Sequence, residues 1–113
     1  AHALGTPLGE LHLHHGTLIG ILLPHVLHYN AEAAASEIAQ IKQAANISAD
    51  RAAHDWARGF AQDLGLPTRL SELGVDPNLL PKIAEKAMKD HLTATNPRKP
   101  SLADYVRILE EAM

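Results

Sequence analysis

The sequence contains no cysteine, so disulfide bonds and thiolate metal ligands are excluded. A chain without disulfides is compatible with a reducing compartment, and we therefore expect a cytoplasmic protein. Aromatic residues make up only 4% of the chain, which argues against a β-sandwich or a β-barrel. These absences point toward a helical domain that carries no disulfides.

Long apolar runs and an excess of positive charge are also missing. The longest apolar stretch, Leu18 to Val26, is far shorter than the roughly 20 residues of a spanning helix. Lys and Arg number 10 against 13 Asp and Glu, and no basic stripe indicates nucleic-acid binding. We expect neither a membrane nor a nucleic-acid partner.

The sequence has no recognisable signal peptide and no initiator Met, so we expect it to be a piece of a larger protein.

The apolar residues recur at helical spacing, which predicts an all-α fold with five to six short helices in one domain, residues 1–113. Capping and turn residues set the expected bounds. The predicted elements after the opening segment are a helix over Ala31–Ala45, a helix from the N-cap Ser48 to Leu64 ended by Gly65, a single turn over Leu70–Leu73, a helix over Pro77–Asp90 capped by Asp76, and a last helix capped by Ser101.

Each predicted helix has an expected inner face. In chain order these faces are Ala34, Ile38, Ile41 and Ala45; Ala52, Trp56, Phe60 and Leu64; Leu80, Ile83, Ala84 and Ala87; and Leu102, Tyr105, Val106 and Leu109.

Six of the eight histidines lie in the first thirty residues. His2 and His15 can face one another only if the chain turns between them, and the stretch GTPLG allows such a turn. His12 and His15 are three residues apart and are expected on one helical face, whereas His14 points elsewhere. The segment is therefore a candidate for part of a metal site.

Histidine spacing alone supports a metal site only weakly. No H-x-x-x-H or H-E-x-x-H pattern occurs, and a single histidine is more often hydrogen-bonded or exposed than a ligand. His25 and His28 form another pair three residues apart, His54 is expected on an exposed helix, and His91 is expected near a helix C-terminus. Phosphate-binding and hydrolase motifs are absent.

Several longer strings carry a family resemblance. HALGTPLGELHLHHGTLIGILLPHVLHYN, then DLGLPTRLSELGV and HLTATNPRKPSLADYVRILEEAM, resemble the C-terminal helical domain of the iron-containing, group III alcohol dehydrogenases. The resemblance covers His2 to Met113 and keeps the order of the family's landmarks. It implies the helical fold shared with the dehydroquinate synthase-like proteins.

The resemblance also implies a function. In that family an α/β domain binds NAD or NADP, and the helical domain holds a divalent metal, usually Fe²⁺ and sometimes Zn²⁺. One aspartate and three histidines hold the metal; the aspartate and one histidine lie upstream of this sequence, and the other two match His2 and His15. The implied substrate is a small alcohol, aldehyde or hydroxy acid. By this resemblance, the chain would contribute no cofactor-binding residue and would be inactive alone. The resemblance is also compatible with a homo-oligomer.

The chain departs from the family pattern near the expected site. Many relatives have a further histidine, with a proton-handling role, where this chain has Thr6, and the interval from His2 to the His-Gly pair is one residue shorter here. His12 and His14 are weak candidates to replace that catalytic histidine. The loop Leu92 to Asn96 either contributes to the substrate pocket or simply connects two helices.

Two other interpretations stay open at the level of sequence. One is a small stand-alone helical protein that binds a metal through His2, His12 and His15. The other is an interaction module without chemistry.

Overall fold

The computed structural model describes all 113 residues and contains six α-helices, three short 3-10 turns and no β-strand. The all-α prediction with five to six helices is confirmed. The helices are α1 (His2–Gly9), α2 (His15–Asn30), α3 (Ala35–Ala44), α4 (Ala53–Asp63), α5 (Leu80–Lys89) and α6 (Leu102–Glu111), and the 3-10 turns are Leu70–Leu73, Pro77–Leu79 and His91–Thr95. None of the helices combines the length and the apolar character needed to cross a bilayer.

The hydrophobic core is built mainly by α1, α2, α5 and α6. Helix α5 packs against both α1 and α6, and α2 packs against α1, α4 and α6. A single cluster of 17 buried residues forms this core, and Leu4, Leu8, Leu18 and Leu109 in it are fully buried. The molecule is only 18 Å across its thinnest direction, which corresponds to two layers of helices about 10 Å in diameter.

Helices α5 and α6 have the capping residues that the sequence predicts. The Asp76 carboxylate accepts a hydrogen bond from the Asn78 N–H, and Ser101 forms a reciprocal capping box with Asp104. All four predicted inner residues of α5 are buried. On α6 Tyr105 and Leu109 are buried as predicted, whereas Leu102 is exposed and Ile108 occupies the core instead.

The predicted start of α4 is wrong. Helix α4 begins at Ala53, and Ala52 is its N-cap residue. The Ser48 hydroxyl donates to the Asp50 carboxylate and does not cap a helix. Serine hydroxyls satisfy turns as readily as helix ends, and the residues between Ser48 and Ala52 form turns. The predicted end is right, since Gly65 follows the helix with a φ of +68° that favours glycine.

The predicted inner faces of α3 and α4 are largely wrong. Ala34 is buried and Ile38 is half-buried, but Ile41 is 56% exposed, Phe60 51% and Leu64 58%. Neither helix contains a buried residue. The physical reason is that no element of this chain packs over these faces, so apolar periodicity alone does not bury them.

Helix α1 shows that glycine and proline are tolerated inside a short buried helix. The expected turn at GTPLG does not form there, because α1 continues through Gly5 and Pro7. Leu4 and Leu8 are fully buried, and their burial offsets the roughly 3 kcal/mol that an interior proline costs. The chain reverses after α1, between Glu10 and His14.

The segment Leu92 to Asn96, expected as a loop, is largely a 3-10 turn fastened to the core. The Thr93 hydroxyl is buried, donates to the Ala87 carbonyl and lies 2.7 Å from the Tyr105 hydroxyl. The side-chain amides of Asn96 and Asn30 donate to each other's oxygens at 2.7 and 3.0 Å. These bonds hold the end of α2 against the segment that precedes α6.

Candidate metal centre

The structure brings His2 and His15 together, as the sequence predicts. His2 Nδ1 and His15 Nε2 are 3.2 Å apart, and the two ring centroids are 5.2 Å apart with a tilt of 39°. Both side chains are exposed at the surface. The pair is therefore accessible to an ion or to groups from another part of a protein.

Local backbone structure explains why these two imidazoles meet. His2 begins α1 and His15 begins α2, so a reversal between the helices places both N-terminal ends side by side. His12 completes the reversal with a φ of +60°. A Cβ on Gly5 would lie 2.8 Å from Ile19 Cδ1 and 3.4 Å from His15 Cε1. The missing side chain of Gly5 thus lets α2 and the His15 ring approach α1.

The nitrogen separation suits a shared ion. Two nitrogens bound to one tetrahedral Zn²⁺ at about 2.0–2.1 Å lie about 3.3–3.4 Å from each other. The observed 3.2 Å also suits one N–H···N hydrogen bond between the rings. No group of three or more His, Cys, Asp or Glu residues in this chain is arranged to hold a metal. The pair thus fits two ligands of a metal centre, and a stand-alone site on His2, His12 and His15 is not supported.

The two weak catalytic candidates lie outside the pair. His12 is in the interhelical turn, so the prediction that it shares a helical face with His15 is wrong, because α2 begins only at His15. His14 is the N-cap of α2: its Nδ1 accepts from the Thr17 N–H at 3.4 Å and contacts the Thr17 hydroxyl at 3.3 Å. Histidine is not a usual N-cap residue, and the sequence therefore did not indicate this role.

Thr6 is one helical turn after His2 and has no ionisable group. Its hydroxyl donates to the His2 carbonyl at 3.1 Å. Such a bond from a threonine hydroxyl to the carbonyl four residues earlier is a local interaction within a helix. Thr6 therefore places no proton-transferring group at the position where many relatives have histidine.

Sequence reasoning missed a second histidine cluster. His28 on α2 contacts His54 on α4, with ring centroids 4.5 Å apart in an edge-to-face arrangement. His25, one turn earlier on α2, is buried, and its Nδ1 lies 4.0 Å from a Glu111 carboxylate oxygen. Burial, and then the positive charge of Arg58, lower the pKa of His25. His91, by contrast, is exposed beside Asp90.

Comparison with known proteins identifies the family. The profile described as "Fe-containing alcohol dehydrogenase family, C-terminal" matches residues 1–113, which is the whole chain. The chain belongs to the Fe-containing alcohol dehydrogenase family.

Individual relatives of this chain agree with the family assignment. It is 38% identical over 126 residues to 4-hydroxybutyrate dehydrogenase of Cupriavidus necator, covering 99% of the chain and 32% of that protein. It is 31% identical to lactaldehyde reductase of Escherichia coli (strain K12) and 34% identical to 1,3-propanediol dehydrogenase of Citrobacter freundii; each match covers 98% of the chain and 31% of the relative. The chain thus spans about a third of the length of these curated relatives.

Solved structures share the fold of this chain. A crystal structure of 1,3-propanediol oxidoreductase superposes with a TM-score of 0.89 at 31% identity, over 99% of the chain and 32% of the solved one. An alcohol dehydrogenase from Oenococcus oeni superposes with a TM-score of 0.87 at 29% identity, over the same shares. The helical arrangement is therefore that of the C-terminal domain of the family.

Proposed function

We propose that this chain is the metal-binding C-terminal part of an NAD(P)-dependent, iron-type alcohol dehydrogenase that acts on a CH–OH group. The observation that carries the proposal is the His2–His15 pair, two imidazole nitrogens 3.2 Å apart in a chain of this family. We expect a small alcohol, aldehyde or hydroxy acid as substrate, because the relatives are named for 4-hydroxybutyrate, lactaldehyde and 1,3-propanediol. The absence of cysteine supports a cytoplasmic location.

His2 and His15 would bind a divalent ion. We expect this ion to be Fe²⁺, with Zn²⁺ as the alternative. The other two ligands, an aspartate and a histidine, would come from residues outside this sequence. When bound, the ion supplies a Lewis acid that stabilises negative charge developing on the substrate oxygen. NAD or NADP would be held mainly by the α/β domain that the family resemblance implies.

The chain's own residues position that site. Helices α1 and α2 fix the two imidazoles at their first residues, and Gly5 leaves room for the His15 ring against α1. The buried leucines of α1 and α2 fasten both helices to the core, so the ring positions are set by packing rather than by a flexible loop. Proton handling by His12 or His14 stays a prediction, and the cap role of His14 already occupies its Nδ1.

The test is the metal content and turnover of the full-length enzyme. We expect His15→Ala and His2→Ala each to lower bound iron at least tenfold and to lower kcat/KM correspondingly, since each removes one of four ligands. His91→Ala is the matched control, because His91 is exposed and distant in sequence from the pair. The 113-residue chain alone should not turn over any alcohol.

Two outcomes would contradict parts of this proposal. Full metal content in His15→Ala would overturn the site. Full metal content in His2→Ala, with a changed pH profile of kcat, would make His2 a hydrogen-bonding neighbour of His15 instead of a ligand.

A further inference from the structure

The contact between His28 and His54 joins α2 to α4, a helix in which no residue is buried. His28 is exposed on α2, His54 is half-buried on α4, and their rings meet edge to face. His25 lies beneath them on α2, 7% exposed. These three histidines are called the histidine latch below.

Helix α4 is held to the rest of the chain mainly through α2. That contact is the most extensive between any two helices, but none of the α4 residues is buried. A helix with few buried apolar contacts opens locally at a much lower free-energy cost than the global unfolding of the domain. Small changes at the α2–α4 contact can therefore decide whether α4 stays docked.

The charges around the latch balance only when its histidines are neutral. Arg107 is paired with Asp104 at 3.0 Å on α6. The remaining charged groups that line the latch or act on His25 are three arginines and three carboxylates: Arg58, Arg69 and Arg98, and Glu32, Asp55 and Glu111. Protonation of all three histidines would leave an excess of three positive charges at this contact.

We propose that the histidine latch releases α4 from α2 when the pH falls through the range, about 5 to 8, in which histidine gains a proton. Neutral imidazoles pack edge to face, whereas two imidazolium rings with centroids 4.5 Å apart repel each other. Asp55 lies 3.6 Å from His54 Nε2 and offsets part of this repulsion. The single negative charge of Asp55 does not compensate for the positive charges of a protonated His28 ring and of Arg58.

Buried His25 adds to the pH dependence of the α2–α4 contact. The pKa of His25 is lowered in the folded state, first by burial and then by Arg58. A base with a lowered folded pKa binds more protons once its surroundings open, so its contribution stabilises the closed form at high pH. That contribution is lost as the pH falls below 6.5, the ordinary value for histidine.

Release of α4 would uncover the side of α2 on which His25 and His28 lie. Helix α2 also begins with His15, so the latch acts on the helix that carries one half of the candidate metal pair. The inference does not depend on the proposed catalytic function, because it uses only contacts between α2, α4 and α6.

Hydrogen–deuterium exchange mass spectrometry on the whole protein tests the latch. Protection factors, corrected for the pH dependence of intrinsic exchange, are compared at pH 7.5 and 5.5 for peptides from α4 and from α5. Each proton bound preferentially by the open form raises its population up to tenfold per pH unit. We expect α4 protection to fall about tenfold more than α5 protection.

Non-titrating rings supply the decisive variants. His54→Phe and His28→Phe keep an aromatic edge-to-face contact but remove the repulsion between the two rings. Each should reduce the excess loss of protection from about tenfold to about threefold, because His25 still contributes. His91→Gln changes an exposed histidine elsewhere and should behave as the parent protein does. Metal content should not change in either phenylalanine variant.

The proposal is overturned if hydrogen-exchange protection of α4 is independent of pH in the parent protein. It is also overturned if both phenylalanine variants lose α4 protection at pH 5.5 to the same extent as the parent protein. A parallel loss in α5 would equally overturn it, since acid would then open the whole domain.

Discussion

Helices α4 and α5 are similar in length and in sequence pattern, yet only α5 contributes buried side chains to the hydrophobic core. Helix α5 has 10 residues, of which Leu80, Ile83, Ala84 and Ala87 are buried between α1 and α6. Helix α4 has 11 residues and buries none, although Trp56 and Phe60 stack with their centroids 5.2 Å apart. An amphipathic pattern therefore shows which face can be buried, and only a packing partner buries it.

The difference extends to the neighbouring segments. The packed region consists of α1, α2, α5 and α6, whereas the open region runs from α3 through α4 and ends at Leu66. Side chains in the packed region should carry most of the free energy of unfolding, because stabilisation follows the apolar area removed from water. The following experiments test that division.

The largest effect is expected from matched leucine truncations. Leu109→Ala removes a fully buried side chain of α6 and should lower the free energy of unfolding by about 2–5 kcal/mol. Leu64→Ala removes the same atoms from a side chain that is 58% exposed, and should change it by no more than about 0.5 kcal/mol. Urea unfolding of both variants measures the difference.

Equal losses for the two leucines would break the comparison. They would mean that another part of the protein covers the end of α4.

A smaller effect is expected from the two serines that the sequence suggests as helix caps. Ser101→Ala removes the capping box of α6 and should cost about 1 kcal/mol. Ser48→Ala should be nearly neutral, because Ser48 contacts Asp50 in a turn and caps no helix. Thermal unfolding under identical conditions compares the two, and a large loss for Ser48→Ala would contradict the observed start of α4.

The smallest effect is expected from glycine replacements inside helices. A Cβ at Gly20 of α2 meets no atom within 4 Å, so Gly20→Ala should raise the free energy of unfolding by about 0.5–1 kcal/mol. A Cβ at Gly59 of α4 meets only the flexible end of Arg51. Gly59→Ala should raise hydrogen-exchange protection within α4 and leave the global midpoint almost unchanged. A raised global midpoint would place α4 within the cooperative core.

Most of the fold in the packed region follows from local signals. Asp76 and Ser101 mark helix starts by their capping chemistry, and the apolar spacing of α5 predicts its four buried residues. Local signals fail where a long-range contact decides. Pro7 lies inside α1 because core packing outweighs its helix-breaking cost, and Ile41 is exposed because nothing packs over it.

The candidate site shows the same limit. The sequence predicts that His2 and His15 meet, but the turn that joins them lies after α1 and not within GTPLG. The pairing of His28 with His54 has no sequence signal, because the two residues are 26 positions apart and belong to helices whose packing no local pattern encodes.

The helical class and the caps of α5 and α6 follow from the sequence, because they depend on residue type and short-range spacing. The choice of His2 and His15 as partners follows from the family resemblance of the opening strings, since histidine spacing alone supports it only weakly. The tertiary structure alone decided the 3.2 Å approach of the two rings, the role of Gly5 in that approach, the exposure of α4 and the histidine latch. These depend on how the helices pack, and packing is settled by the total burial of apolar surface rather than by any one segment.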